Sequence, residues 1–418
     1  MTKSLSFLVC IILTTIVVLW SCNKKIVSTQ IDLTEISSAE TEVRLTYSCM
    51  VKENYAPSLS FPEHTPMRNV RVNVHIINSS DGTLAIPESV TEEFARMLID
   101  SSNARLNDNR FMIQPPDHKT PVLNTRFRYV LTPDSLKPND TGIYYHFDDD
   151  MAYFNSYRKS VDSTHNMFSK KQYDKYGIQK DEVLNVFLLE HHPDSLANRS
   201  KTGSRYQKVK GVGYKNWVKI TGVRPKYDKF IAVEKSGDKP AIERLADYYS
   251  RLLNHEIGHS LGLGHTWGSN DGCDDTPKHP NCWYIDKKNS KCDQWRELSN
   301  NVMDYNAFME AYTPCQLGKV HYNLSKVTSS QRKLLRPDWC TNNPEETLTI
   351  NAGEQVIWES AKDLNGDLVI ANNARLTINC ILSLPKGARI IIEPKGKLTL
   401  GDNATIANRC GDQWGGIV

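Results

Sequence analysis

The thirteen residues His255–Trp267, HEIGHSLGLGHTW, constrain this chain more than any other part of it. His255 and His259 are four apart, so on a helix they share one face and can hold one metal ion. Glu256 sits beside the first histidine, where its carboxylate reaches a metal-bound water rather than the metal. His265 is too far along to share that face if the helix continues. Gly262 offers the break, because glycine accepts the left-handed backbone that ends a helix and turns the chain back. Three neutral imidazoles with one open position describe a catalytic zinc site, not a closed structural one.

A lone histidine is usually a surface or core residue, and a bare HExxH arises by chance. The extended spacing HExxHxxGxxH is far more specific; it resembles the signature of metzincins, a likeness that implies a methionine in a turn beneath the metal. NNVMDYNAF supplies one in Met303, with Tyr305 two residues later. Upstream, residues 241–262 read as a single helix running into the motif. Leu245, Tyr249, Leu252, Leu253 and Ile257 recur on it at helical spacing, an apolar stripe to set against a sheet. VRVNVHII (70–77), RFRYVL (126–131), EVLNVFLLE (182–190) and KFIAVE (229–234) read as strands, and 89–107 as a helix with Val90, Phe94, Met97 and Leu98 along one face. This pattern predicts an α/β (α+β) catalytic domain over 67–340.

From Asn343 the character changes. LVIANNARLTINCILSL (368–384) and IIIEPKGKLTLGDNATI (390–406) superpose at a shift of 22 residues, matching Leu368 to Ile390, Leu376 to Leu398, Ile378 to Leu400 and Leu384 to Ile406. Short alternating strands at that period point to a small all-β, solenoid-like region over 343–418 with its apolar residues turned inward. A small antiparallel sandwich is the alternative. Two coils are few for a stable stack, so the region is expected either to continue in further coils or to pack its last one on the catalytic domain.

At the other end, Lys3 followed by the apolar stretch Leu5–Trp20 reads as an export signal over 1–21. The stretch is short for a bilayer span, which needs about 20 apolar residues. Leu19-Trp20-Ser21-Cys22 resembles a lipobox, with Cys22 as the lipid acceptor of a membrane-anchored lipoprotein; an uncleaved anchor is the alternative. Residues 22–66 are polar and weakly patterned, a tether or pro-segment. Of the ten cysteines, eight lie beyond Cys22, and outside the cytoplasm disulfides are their default state. With 51 basic and 48 acidic side chains, and no basic run or aromatic-basic interleaving, nucleic acid is not an expected partner.

Taken with DDTP at 274–277 and AYTPCQ at 311–316, the motifs HEIGHSLGLGHTW and NVMDY make the chain resemble the pappalysin family of metzincin zinc endopeptidases over roughly 68–340. The resemblance implies a metzincin-like zincin domain acting on protein or peptide substrates. His255, His259 and His265 would be the zinc ligands, Glu256 the general base, Met303 the turn methionine, and Tyr305 a helper at the reacting carbonyl. In metzincins an extended substrate lies along an edge strand above the zinc helix; FIAVE (230–234) is the expected edge. The loop from His265 to Asp275 is short, and Cys315 stands where the family often has glycine. Asp271, Asp274 and Asp275 form an oxygen-rich loop that either binds calcium, as bacterial relatives suggest, or is a solvated turn. Cys49 lies where a pro-segment would sit, and either blocks the metal as a cysteine switch or joins a disulfide. A competing reading is a catalytically inactive surface lipoprotein that uses a zincin scaffold and β-solenoid for binding. Glu256 argues against it, because a dead scaffold has no physical need for that carboxylate.

Overall fold

The structure is a computed structural model and describes residues 47–418, apart from 81–84, 114–119, 155–165, 192–209, 268–270, 277–281, 283–286, 289–291, 293–297 and 403. Leu45–Val418 form one compact unit. Cys22 and the apolar stretch before it lie outside the described residues, and among the latter no helix is long and apolar enough to cross a membrane.

A short helix α1 (Tyr47–Met50) precedes the central strand β1 (Arg68–Asn78). The first half of β1 pairs in parallel with β2 (Phe127–Leu131), and its second half with β3 (Ile143–Phe147). On its other side lies β5 (Leu184–His191), extended by the two-residue β4 (Tyr153–Phe154). Beyond β5 comes β7 (Trp217–Thr221), also parallel, and last β6 (Gly211–Tyr214), the one antiparallel strand of this sheet and its edge. Val70, Val72, Val74 and Ile76 face one core, while Ile77, Phe187 and Leu189 face another. A parallel sheet covered on both faces has this near-continuous β-branched and aliphatic composition.

Helix α2 (Glu88–Asn107) lies against the sheet together with α5 (Ala241–Ser260), through Phe94, Leu98, Leu245, Tyr249 and Leu253. Between them in sequence come α3 (Lys171–Tyr176) and α4 (Val223–Ala232). Helix α4 overturns the strand expected at 229–234. Pro225 stands in its first turn, where a missing N–H disturbs no helical bond, and the apolar run Phe230-Ile231-Ala232 is its last turn.

The last helix of length is α6 (Pro314–Ser325), opened by a capping box in which Thr313 and Gln316 satisfy each other's backbone amides. Residues 47–66, read as tether or pro-segment, pack upon it. Tyr55 is buried and meets Tyr322 edge to face at 5.2 Å. Cys49 is in a disulfide with Cys380, so its thiol is not available to the metal and the switch is excluded.

Residues 348–407 form three parallel three-stranded sheets. The first joins Leu348–Ile350, Leu368–Ile370 and Ile390–Ile392; the second, Gln355–Trp358, Arg375–Ile378 and Lys397–Leu400; the third, Lys362–Asp363, Ile381–Ser383 and Thr405–Ala407. Every pairing is parallel, which rules out the antiparallel sandwich. The registers Leu368↔Ile390, Leu376↔Leu398 and Ile378↔Leu400 are as expected. Ile406, however, pairs with Leu382 and not Leu384, because four residues separate the last two strands where two separate the strands below them. A set of strands at 348–363, one shift of 20 earlier, completes each sheet. A second disulfide, Cys340–Cys410, and the buried carboxylate of Asp363, bonded by Arg332 and Arg409, tie this region to the rest.

Candidate metal centre

Helix α5 carries the first two histidines to the floor of the site. It ends at Ser260, with Gly262 at φ +98°. The amide of Leu263 donates to the Gly258 carbonyl at 2.9 Å, and that of Gly262 to His259 at 3.0 Å. This paired closure is the left-handed helix stop that Gly262 was expected to supply. The same turn presents the Leu263 carbonyl to His259, whose Nδ1 donates to it at 2.9 Å. His255 Nδ1 donates to the Val302 carbonyl at 2.6 Å. With both Nδ1 atoms protonated, both Nε2 lone pairs point into the site.

His265, returned by the turn, places its Nε2 3.2 Å from His255 Nε2 and 3.1 Å from His259 Nε2. A single proton on His265 cannot satisfy two facing lone pairs. A tetrahedral cation at about 2.0–2.1 Å from each nitrogen, with nitrogens about 3.3 Å apart, satisfies all three. Burial lowers the pKa of every ring, that of His265 to about 3, so the imidazoles are neutral and free to ligate. The residues therefore fit a tetrahedral divalent metal with one position left open.

Glu256, one residue on, is only 5% exposed, and burial pushes its carboxyl up to about 8 against a backbone hydrogen bond from Gly213. The edge strand β6 crosses directly over it. A side chain on Gly211 would start 2.6 Å from Glu256 Oε1, and one on Gly213 would overlap the Glu256 carbonyl oxygen. Glycine at both positions lets backbone approach the carboxylate. Neither residue stands out in sequence, since glycine in a strand is an unfavourable sign read alone.

Met303 lies fully buried beneath the helix, and a Cβ on Gly258 would collide with its sulfur. The glycine inside HEIGH is thus the seat of Met303. The turn that carries Met303 is fastened by Asn301, whose Oδ1 accepts from the Met303 amide at 2.8 Å. Asn301 and Gln316 exchange amide hydrogen bonds at 2.8 and 2.9 Å, linking the turn to the cap of α6. This pair, too, was invisible in sequence.

Tyr305 borders the site at 37% exposure, its ring 4.8 Å from that of His265. Trp267 stacks on His265 from another side at 5.1 Å and 22°. The acidic loop serves a different end. Asp275 accepts from Thr313 Oγ1 at 2.7 Å and from the Cys315 amide at 2.9 Å, while Asp271 accepts from Thr276 and the Cys273 amide. These carboxylates brace α6 and their own turn, and Cys273–Cys315 closes beside them as a disulfide. Asp274 is exposed. The arrangement gives calcium no support.

Residues 239–325 match the model of the family described as Pregnancy-associated plasma protein-A. Among curated proteins nothing matches this chain. Two solved structures, mirolysin in complex with compound 9 and mature mirolysin of Tannerella forsythia in complex with a cleaved peptide, each share 15% identity with it. Each alignment covers 65% of this chain and 96% of the other, at a TM-score of 0.40. A mutant of promirolysin from the same organism aligns at 14% identity and a TM-score of 0.39, over 65% of this chain and 86% of that one. The matched segment holds all three histidines, Glu256, Met303 and Tyr305, and over it the chain is similar to the pappalysin family of metallopeptidases.

Proposed function

We propose that this protein is an exported zinc-dependent endopeptidase. The observation that carries the reading is the convergence of three imidazole Nε2 atoms beside one buried carboxylate under a glycine edge strand. Zinc held there would supply Lewis-acid chemistry, acidifying a water to a pKa of about 7 and polarising a peptide carbonyl. Glu256 takes the proton of the attacking water and delivers it to the departing amine. Tyr305, at the rim, donates to the developing oxyanion in this reading, which its ring contact with His265 supports. The substrate lies extended beside β6, in place of the 230–234 edge, because the outer edge of β6 runs above Glu256.

The test separates metal binding from chemistry. Glu256→Ala should keep its zinc while cleavage of a denatured protein falls by roughly 10²-fold or more. His259→Ala should lose both. Undiminished cleavage by the Glu256→Ala protein would sink the mechanism.

Export and lipidation at Cys22 belong to the same proposal. Their support is the sequence Leu19–Cys22 and the four disulfides, which persist in oxidising compartments. Cys22→Ala should shift the protein from the membrane fraction to the soluble one; retention with the leader still attached would identify Leu5–Trp20 as the anchor. We read the three parallel sheets of 348–407 as a β-solenoid, on the strength of their registers of 20 to 24 residues.

A further inference from the structure

Where the 348–407 strands meet the catalytic sheet, the buried charges do not balance. Asp363 is fully buried, and three guanidiniums address it. Arg332 Nη1 donates to its Oδ2 at 2.7 Å, Arg409 Nη1 to its Oδ1 at 3.3 Å, and Arg68 Nη2 lies 3.7 Å from Oδ2 while donating to the Asp363 carbonyl at 3.0 Å. Lys362, the preceding residue, is half-buried beside them, and no carboxylate among the described residues pairs with it. Asp338, the other acid near Arg68, is taken up by Asn69 and Arg336. Three guanidiniums thus share one carboxylate, an excess of two positive charges, with the ammonium of Lys362 close by. Buried charge of one sign without a counterion is strongly unfavourable.

Beside this cluster is a small cavity walled by Tyr55, Thr65, Arg68, His321, Ser360 and Lys362 among others, with no acidic side chain in its lining. It is about the size of one water molecule. That is room for one water or one monatomic ion, and too little for phosphate or sulfate. Arg68 is 4% exposed, and its Nη1 has no hydrogen-bond partner among the described residues. The Tyr55 hydroxyl donates elsewhere, to the Cys49 carbonyl at 2.9 Å, and His321 Nε2 donates to the Thr125 carbonyl at 2.8 Å. We propose that this cavity binds one chloride ion, held by the free Nη1 of Arg68 and the ammonium of Lys362, which fastens the C-terminal strands to the catalytic sheet. The direction of the cation shifts agrees: burial lowers both, Lys362 to about 8 with Arg68 adding to the fall, the strain a bound anion relieves.

The test uses the full chain in sodium gluconate, an anion too large to enter, titrated with sodium chloride at constant ionic strength. Chloride should raise the Tm saturably, by on the order of 2 °C or more. Lys362→Met, folded by circular dichroism, should lose that increment. Crystals grown in sodium bromide should show one anomalous peak within contact of Arg68 Nη1. A Tm that does not respond to chloride, an increment that survives in Lys362→Met, or an ordered water in place of bromide would each overturn the proposal. Should Lys362→Met not fold, the bromide map of the unaltered protein decides.

Discussion

Both halves of this molecule bury parallel strands, but they differ in what they place between them. Around the metal centre the interior is polar: His255, Glu256, Asn254, Asn301 and Gln316 are all buried, each facing a specific partner. Asn301 needs Gln316, 15 residues away, and His255 needs the carbonyl of Val302, 47 residues away. In the 348–407 strands the interior is an aliphatic ladder in which Leu368 lies between Leu348 and Ile390, and Leu376 between Val356 and Leu398. Polar interiors depend on exact pairing, because a buried donor or acceptor that loses its partner keeps its full desolvation penalty. Aliphatic ladders lose only the area and volume removed. The first half should therefore fail in function at single positions, and the second should fail in stability by degrees.

Asp363 is where the contrast should break, since it places a polar network inside the aliphatic half. Asp363→Asn leaves its arginines buried and uncompensated, and should cost about 3–5 kcal/mol in urea unfolding at neutral pH. Burial alone would raise this carboxyl, but Arg332, Arg409 and Arg68 more than offset it and hold it below the ordinary aspartate value of 3.8. A depressed folded pKa gives stability that is present above about pH 3.8 and lost as pH falls through the folded value. The unaltered protein should lose stability steeply below that pH, and Asp363→Asn should show a flatter profile there. Equal stability of the two proteins at pH 7 would refute the network.

Leu376→Ala, in the middle of the ladder and fully buried, should lose about 3 kcal/mol while zinc affinity stays unchanged. A shift in zinc affinity would mean the halves are coupled through more than their junction. Gly213→Ala should do the reverse. Its new methyl displaces the edge strand from Glu256, so kcat/KM should fall about 10²-fold, near 2.7 kcal/mol, with zinc content intact. Activity within a few-fold of the parent would show that β6 can shift without harm. The smallest effect is expected at Ile357, 63% exposed on the outer face of the same ladder, where Ile357→Ala should change stability by less than about 0.5 kcal/mol.

What could be read in the sequence follows the same division. The placing of the histidine triad and of the helix leading to it was legible because helical spacing alone brings His255 and His259 together and Gly262 marks the stop, while Met303 was legible only through the family's turn motif. The ladder was legible because its repeat is written in residue type, although its register slipped at Leu384, where an insertion of two residues in one turn leaves the period unmarked. The edge strand was not legible: Gly211-Val212-Gly213-Tyr214 has poor strand propensity, and its reason for glycine is Glu256, 43 residues downstream of Gly213. A short apolar run such as Phe230–Val233 fits helix or strand equally well, and only packing decides. Nor could Asp275 be assigned, since a carboxylate that caps a distant helix looks in sequence like one that awaits a cation.

The Cys49–Cys380 bond, which joins residues 331 apart in sequence, closes this chain, metal centre included, into a covalent ring. A protease that cuts the stretch 50–66 opens the ring without liberating anything: the amino-terminal piece stays attached through Cys380. Detachment from whatever holds the residues before Cys49 therefore takes a cut on the amino-terminal side of that cysteine, or a reductant. On a gel, a molecule nicked within the ring would run as one band until thiol is added and as two afterwards.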